Sequence, residues 1–321
     1  MPEITAAGGQ KAAASVGKAR AQMVFPAGNR NRKAARVQAG VLRWLVRIAA
    51  GLTAAVLLFL IGYILVMGIP NLKPSLFAWE YNSENVSLVP ALINTVLMTA
   101  FSLVIATPLG IFAAIWLVEY AKRGNKLVRL VRVTTETLQG IPSIVYGLFG
   151  MLFFVTQLHW GYSLIAGAFT LAIMVLPVIM RTTEEALLAV PDSYREGSFG
   201  LGAGKLRTVF KVILPPAMPG VLSGIILAIG RIVGESAALI FTSGSGKDNL
   251  MLGKTGNFFA DLFAPLFQST RTLSVHMYNL MSEGLHMEEA QATAVVLLVL
   301  VIAINAGSAH LAKKLTANGQ G

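Results

Sequence analysis

Residues 137–180 run for 44 positions without a single Asp, Glu, Lys or Arg, and few folds accept such a stretch. A helix of about 20 apolar residues spans the roughly 30 Å hydrocarbon core of a bilayer. Four further charge-free intervals, 48–72, 85–118, 212–230 and 290–312, are each long enough for a crossing. With 55% hydrophobic and 13% charged residues and a mean hydropathy of +0.66, the chain is expected to be an all-α integral membrane protein.

The 44-residue interval is too long for one crossing, and 157-QLHWGYS-163 interrupts it with polar, aromatic and glycine residues suited to a turn at an interface. Six spans follow, roughly 46–69, 90–118, 136–156, 162–181, 217–242 and 291–312. They divide the chain into a basic tail, 1–45, expected to lack fixed structure, a transmembrane domain, 46–312, with a large loop at 182–216, and a short tail, 313–321. The absence of cysteine leaves no disulfide frame and no thiolate metal site. The first apolar run begins only near residue 48 and is long enough to span, so it reads as an uncleaved anchor rather than a signal peptide.

Charge placement sets the expected orientation. Of 26 Lys and Arg, nine lie in the N-terminal stretch up to Arg47, five follow the second span, five run from Arg181 at the end of the fourth to Lys211, and two end the chain, against one, none and three in the alternate loops and Arg231 within the fifth span. The positive-inside rule then places both termini in the cytoplasm. The net charge of +11 is thereby a topology signal and calls for no nucleic-acid partner. The patch 29-NRNRKAAR-36 suits either an orientation signal or a contact with anionic membrane lipids.

The loop 181-RTTEEALLAVPDSYREGSFGLGAGKLRTVFKVILPPAMPG-220 reads as two short helices. Pro191 and Asp192 end the preceding helix, and Ser193 with Glu196 has capping-box spacing. The first short helix would run to about Gly202, with Gly197, Gly200, Gly202 and Gly204 thinning it. The second would run from about Gly204 to Leu214 and stop before Pro215 and Pro216, with Leu206, Val209, Phe210 and Ile213 on one face. A helix carrying Tyr194 and little bulk at its glycines is shaped to enter a groove on another protein.

The spacing Glu196-Gly197-Ser198, three residues, Gly202, nine residues, Val212-Ile213-Leu214-Pro215 resembles the EAA loop of ABC-importer permeases, E-A-A-x3-G-x9-I-x-L-P. Gly197, Ser198 and Val212 depart from it by small or apolar exchanges. In that family the loop forms a coupling helix on a cytoplasmic ATPase, which implies that role for about Pro191 to Gly204. The stretches 176-LPVIMRTTEEAL-187 and 227-LAIGRIVGESAALIFTSG-244 further resemble the A-type permease of phosphate-specific importers, with Ser236 and Ala238 departing from its G-E-T-A-P run. The resemblance covers roughly residues 90–312 and implies the type I importer permease fold, a second homologous permease, two ATPase subunits and an extracytoplasmic phosphate-binding protein. It implies no cofactor and no catalytic site of the chain's own.

Other motifs lead nowhere. The sequence 253-GKT-255 has Asp248 where a P-loop needs its first glycine, and 200-GLGAG-204 is followed by Lys205 where a dinucleotide fingerprint needs glycine. His159, His276, His286 and His310 have no metal-ligand spacing.

Arg231 and Glu235 are the exception inside an apolar run. A charged residue at a helix centre costs about 2.5–3.5 kcal/mol; Arg231 is expected near the midpoint of the span 217–242, and at i and i+4 it and Glu235 share one face and can approach each other. They read either as a buried ion pair fixing helix packing or as the face of an anion pathway, with Arg231 contacting oxyanions and Glu235 steadying it. Arg181 reads as a positive-inside anchor, and the family resemblance makes it a second contact on the anion route. Gly220 with Gly224 and Gly230 with Gly234 have the spacing of close helix contacts, and Pro108 and Pro142 can bend their helices. The outer segment 243–290 is expected to carry helices, with 272-TLSVHMYNLM-281 a candidate contact for the binding protein.

The function that the resemblance implies is that of a phosphate-importer permease. A stand-alone oxyanion transporter or channel, an ABC permease for sulfate or molybdate, and a scaffold subunit are the other classes.

Overall fold

The structure is a computed structural model that describes residues 29–122, 124–246 and 264–318. Its helices are α1 (Asn29–Gly68), α2 (Val89–Ile115), α3 (Lys126–Gln139), α4 (Ser143–Gly150), α5 (Leu164–Leu188), α6 (Asp192–Gly200), α7 (Lys205–Thr208), α8 (Leu214–Val233), α9 (Ala237–Ile240), α10 (Leu273–Glu283) and α11 (Met287–Asn318). Three π turns extend or join them: Trp116–Tyr120 after α2, Met151–Gln157 after α4 and Val209–Ile213 between α7 and α8. No strand occurs among the described residues.

The chain divides into two compact units, Met1–Gly62 and Tyr63–Gly321. The described part of the first is most of α1, whose Leu42, Trp44, Leu52, Leu58 and Phe59 are all more than half exposed, a surface matched to hydrocarbon. This helix starts at Asn29, so residues 29–45 of the expected tail are helical; the Ala-rich, proline-free sequence before the span simply continues it.

In the second unit α5 is the central helix, packed most extensively on α2 and then on α8, while α11 lies along α8. Met98, Tyr146, Leu171, Val175, Ile232 and Leu239 form the main core, and Leu117, Leu187, Val209 and Ile213 form a second one at the end carrying the Lys/Arg-rich loops, here called the loop end. Thr95, Thr99 and Ser102 of α2 are buried and donate to carbonyls one turn earlier, at 2.6, 2.7 and 2.7 Å, so their hydroxyls add no orphan donor to an apolar helix.

Five described helices are long and apolar enough to cross a membrane: Arg36–Asn71, Val89–Tyr120, Leu164–Leu188, Lys205–Val233 and Met287–His310. The third expected span, 136–156, is not one helix. Lys126–Gln139 and Ser143–Gln157 meet at 104°, because Pro142 disfavours helical backbone at Ile141 and Gly140 leaves the chain free to turn. The Tyr146 hydroxyl donates to Leu138 O across the bend at 2.7 Å, joining the Ile141 N–H, which bonds the same carbonyl at 3.2 Å. The turn expected at 157–163 is present, with His159 at φ 56° and Gly161 at φ 65°.

The fifth span also differs from 217–242. It begins at Lys205, since Pro215 and Pro216 stand in the first turn of α8 just beyond a π turn, where a missing N–H costs little, and the expected stop does not occur. It ends at Val233, after which Gly234, Glu235 and Ser236 leave the helix. The π turn also shifts the face of the second loop helix: Val209 and Ile213 are buried, whereas Leu206 and Phe210 are exposed.

Candidate functional site

Arg231 stands two residues before the end of α8 and is half-buried. It lines a groove of about 570 Å³ with Val178 of α5, Ser223, Ile226, Leu227 and Gly230 of α8, and Asn305 of α11. Among the described residues no carboxylate lies within 4 Å of it. The expected pairing with Glu235 is absent because an i, i+4 contact needs helical backbone through both positions, and the helix has ended. Glu235 instead accepts from Ala238 N at 3.1 Å, capping α9, and its carbonyl accepts from Ser274 Oγ at 2.6 Å. The groove thus offers an uncompensated guanidinium between apolar walls, an arrangement that favours an anion. Asn305 adds an amide whose Oδ1 is buried without a partner.

Arg181 sits in a different environment. Its Nε is 3.0 Å from Glu185 and its Nη1 3.9 Å from Glu136, while Arg132 reaches Glu184 at 2.6 Å. Gly224 of α8 faces Thr182 of α5, so Arg231, seven residues further along α8, lies about 10 Å beyond the level of Arg181 at 1.5 Å per residue. The two arginines mark two depths rather than one site.

The loop helices form a compact unit. Tyr194 and Glu196 are exposed on α6, and a groove of about 650 Å³ is lined by Ser193, Tyr194, Gly197, Leu201, Gly202 and Arg207. Leu201 is 91% exposed and Leu206 66%, so this polar-looking loop presents apolar side chains outward. The expected Ser193 capping box is not formed: Pro191 holds the N-cap position without a side-chain bond, and Ser193 lies inside the first turn. Gly202 closes α6 at φ 81°. Its N–H bonds Phe199 O at 2.9 Å and Ala203 N–H bonds Ser198 O at 3.1 Å, the paired bonds of a Schellman turn that favours glycine. Ser198 and Thr208 share a buried hydrogen bond of 2.8 Å that ties α6 to α7. Leu214 and Pro215 begin α8.

The glycine pairs separate into two kinds. A Cβ on Gly220 would meet Ala186 at 2.5 Å and one on Gly224 would collide with Thr182, so these glycines set the α5–α8 approach. A Cβ on Gly230 would stand 3.8 Å from Asn305, and one on Gly234 would meet only its own helix; neither packs helices together. Pro108 lies inside an unbroken α2, whereas Pro142 marks the bend before α4. In the 272–281 segment, Thr272 through His276 are buried, leaving Tyr278 and Met281 exposed. The 253–255 segment lies outside the described residues.

Three functional candidates escaped the sequence. Asn305 was one amide in an apolar span, a signal that could have been weighed. Arg271, counted as an outer charge, is 4% exposed and lies 4.4 Å over the Tyr81 ring. Arg195, counted as an ordinary loop cation, pairs with Glu119, 76 positions away, at 2.7 Å.

Residues 106–317 match the family described as binding-protein-dependent transport system inner membrane component. A Bacillus subtilis (strain 168) protein named probable ABC transporter permease protein YqgI is 34% identical over 286 residues, covering 84% of this chain and 95% of that protein. The phosphate transport system permease protein PstA of Pasteurella multocida is 40% identical over 182 residues, 56% of this chain and 64% of that one. PstA 1 of Mycobacterium tuberculosis (strain ATCC 25618 / H37Rv) is 40% identical over 154 residues, 48% of this chain and 49% of that one. Among solved structures, a chain of a bacterial ABC transporter that imports the acidic polysaccharide alginate superimposes with a TM-score of 0.58 at 14% identity, covering 87% of this chain and 99% of that chain. A chain of the MetNI methionine ABC transporter gives 0.52 at 22%, covering 71% and 94%. These two likenesses concern the fold.

Proposed function

Since the chain belongs to the family of binding-protein-dependent inner membrane components of ABC transporters, we propose that it is the permease subunit of an ATP-driven importer for inorganic phosphate. The observation that carries the reading is Arg231, a guanidinium without a carboxylate partner among the described residues, in a groove whose other lining residues are uncharged: apolar or small side chains and the Asn305 amide. A half-buried guanidinium without a carboxylate keeps its donors available, and its planar fork fits two oxygens of a tetrahedral oxyanion. The partial matches to two proteins named phosphate transport system permease support phosphate as that oxyanion.

In this reading both termini are cytoplasmic, by the charge asymmetry of the loops. The chain forms half of the pathway beside a second homologous permease, and an extracytoplasmic phosphate-binding protein delivers the ion. ATP is hydrolysed by two cytoplasmic ATPase subunits, which receive α6 through Ser193, Tyr194, Glu196 and the exposed Leu201. Their closure moves α6 and opens the Arg231 groove first to one side and then to the other. Arg181 is the later contact, reached about 10 Å nearer the cytoplasm by the helical rise.

Radiolabelled phosphate uptake with sulfate or molybdate as competitor tests the reading. Uptake should require ATP, resist both competitors and fall sharply in Arg231→Ala. Uptake without ATP would make the chain a stand-alone transporter, preferential competition by sulfate or molybdate would change the substrate, and full uptake by Arg231→Ala would leave it a scaffold.

A further inference from the structure

Arg195 is the best-satisfied cation of the described chain. Its Nε and Nη2 both donate to Glu119 Oε1, at 3.0 and 2.7 Å; Nη1 donates to Val190 O and to Asp192 Oδ1, at 2.8 and 3.1 Å; Nη2 donates also to Leu187 O at 3.0 Å. The side chains of Arg195 and Glu119 are only 16% and 7% exposed. Three pieces of chain therefore meet at one guanidinium: the end of α5 through Leu187 and Val190, the start of α6 through Asp192, and the π turn that ends α2 through Glu119. The next residue of that turn, Tyr120, carries the Lys205 ammonium 5.0 Å over its ring, so a single π turn holds both loop helices.

A buried ion pair contributes little net stability compared with an apolar pair of similar volume, and such a pair is more useful for fixing register. Here the register fixed is that of α6 against α2 and α5. Without the pair, α6 would be attached to the bundle through its chain connections, the Ser198–Thr208 bond and contacts around Val209. Helical π turns recur at functional sites because they set side chains off the α-helical face, and this one aims consecutive side chains at two different helices.

We infer that Arg195 and Glu119 are positioning residues forming the joint that passes a displacement of α6 to α2, so that α2, α5 and α6 move as one body during the transport cycle. The inference rests on the proposed coupling of α6 to an ATPase. Its consequence is that opening the joint separates ATP hydrolysis from phosphate movement while leaving the docking surface, on the other side of α6, intact.

The test uses the complete importer reconstituted in vesicles, with ATP hydrolysed per phosphate imported as the readout. Glu119→Ala is expected to retain copurifying ATPase subunits and hydrolysis within about twofold, while the ratio of ATP to phosphate rises at least about tenfold, a coupling loss of about 1.4 kcal/mol. Glu119→Gln, which keeps an acceptor but no charge, should fall between, and Arg195→Lys should follow it because an ammonium cannot hold the fork. An unchanged ratio in assembled Glu119→Ala and Glu119→Gln complexes overturns the joint. So does a parallel fall of uptake, hydrolysis and assembly in both variants, which would make the pair a structural prop. ATP-independent uptake by the unaltered importer would instead remove the coupling reading itself.

Discussion

Arg195 and Arg231 are the same side chain in opposite circumstances. Arg195, at the loop end, has five hydrogen bonds and a buried carboxylate; Arg231, between apolar walls, has no carboxylate within 4 Å among the described residues. The first is complete and cannot take a ligand without breaking bonds. The second has its donors open, and the helix break at Gly234 removes the one acid that the sequence offered it. A satisfied cation fixes a position, and an unsatisfied one leaves its donors open to an anion.

The sharpest way to break that contrast is to delete both charges. Arg195→Leu strands Glu119 and should cost about 3–5 kcal/mol, the usual penalty for removing one partner of a buried pair. Arg231→Leu removes an uncompensated, half-buried charge and should leave stability unchanged or slightly raised. Thermal unfolding of the two variants in one detergent checks the sign, and equal losses would erase the distinction. Function should run the other way: Arg231→Ala should cut phosphate uptake by about 10–100-fold, equivalent to losing charged hydrogen bonds of about 1.5–3 kcal/mol. Arg181→Ala, whose partner carboxylates already occupy it, should lose less than about tenfold in the same assay.

The α8 glycines extend the contrast on a smaller scale. Gly224→Ala, facing Thr182, should destabilise by about 1–3 kcal/mol, whereas Gly230→Ala, with 3.8 Å to Asn305, should stay within about 0.5 kcal/mol. Gly202→Ala should cost about 1–2 kcal/mol through its left-handed backbone and weaken copurification of the ATPase subunits.

Much of the fold was legible because a bilayer demands long apolar runs: the second, fourth and sixth spans stand close to where 90–118, 162–181 and 291–312 placed them. The third and fifth differ because hydropathy reports burial in lipid and is blind to backbone direction. Gly140-Ile141-Pro142 breaks its helix without a charge to mark it, and at Gly234-Glu235-Ser236 the one charge says nothing of where the backbone turns. The loop's two-helix plan and the end of the first near Gly202 could be read from glycine spacing. The capping box could not, because Pro191 at the N-cap position and the ion pair from Asp192 to Arg195 settle that terminus differently. The Arg195–Glu119 pair is a long-range contact, and nothing local to either residue announces it.

Gly202 carries one consequence concerning handedness. A Cβ added there would meet nothing within 4 Å, so the position has room for a side chain and objects only to its chirality. Size is irrelevant to it, and L-alanine is penalised for its backbone conformation alone. Its mirror image is not: D-alanine, introduced by chemical ligation, prefers the left-handed backbone already present at φ 81° and narrows the unfolded ensemble that glycine leaves wide. The turn that closes α6 therefore selects an achiral residue from a chiral alphabet, and a mirror-image residue would hold it more firmly than glycine does.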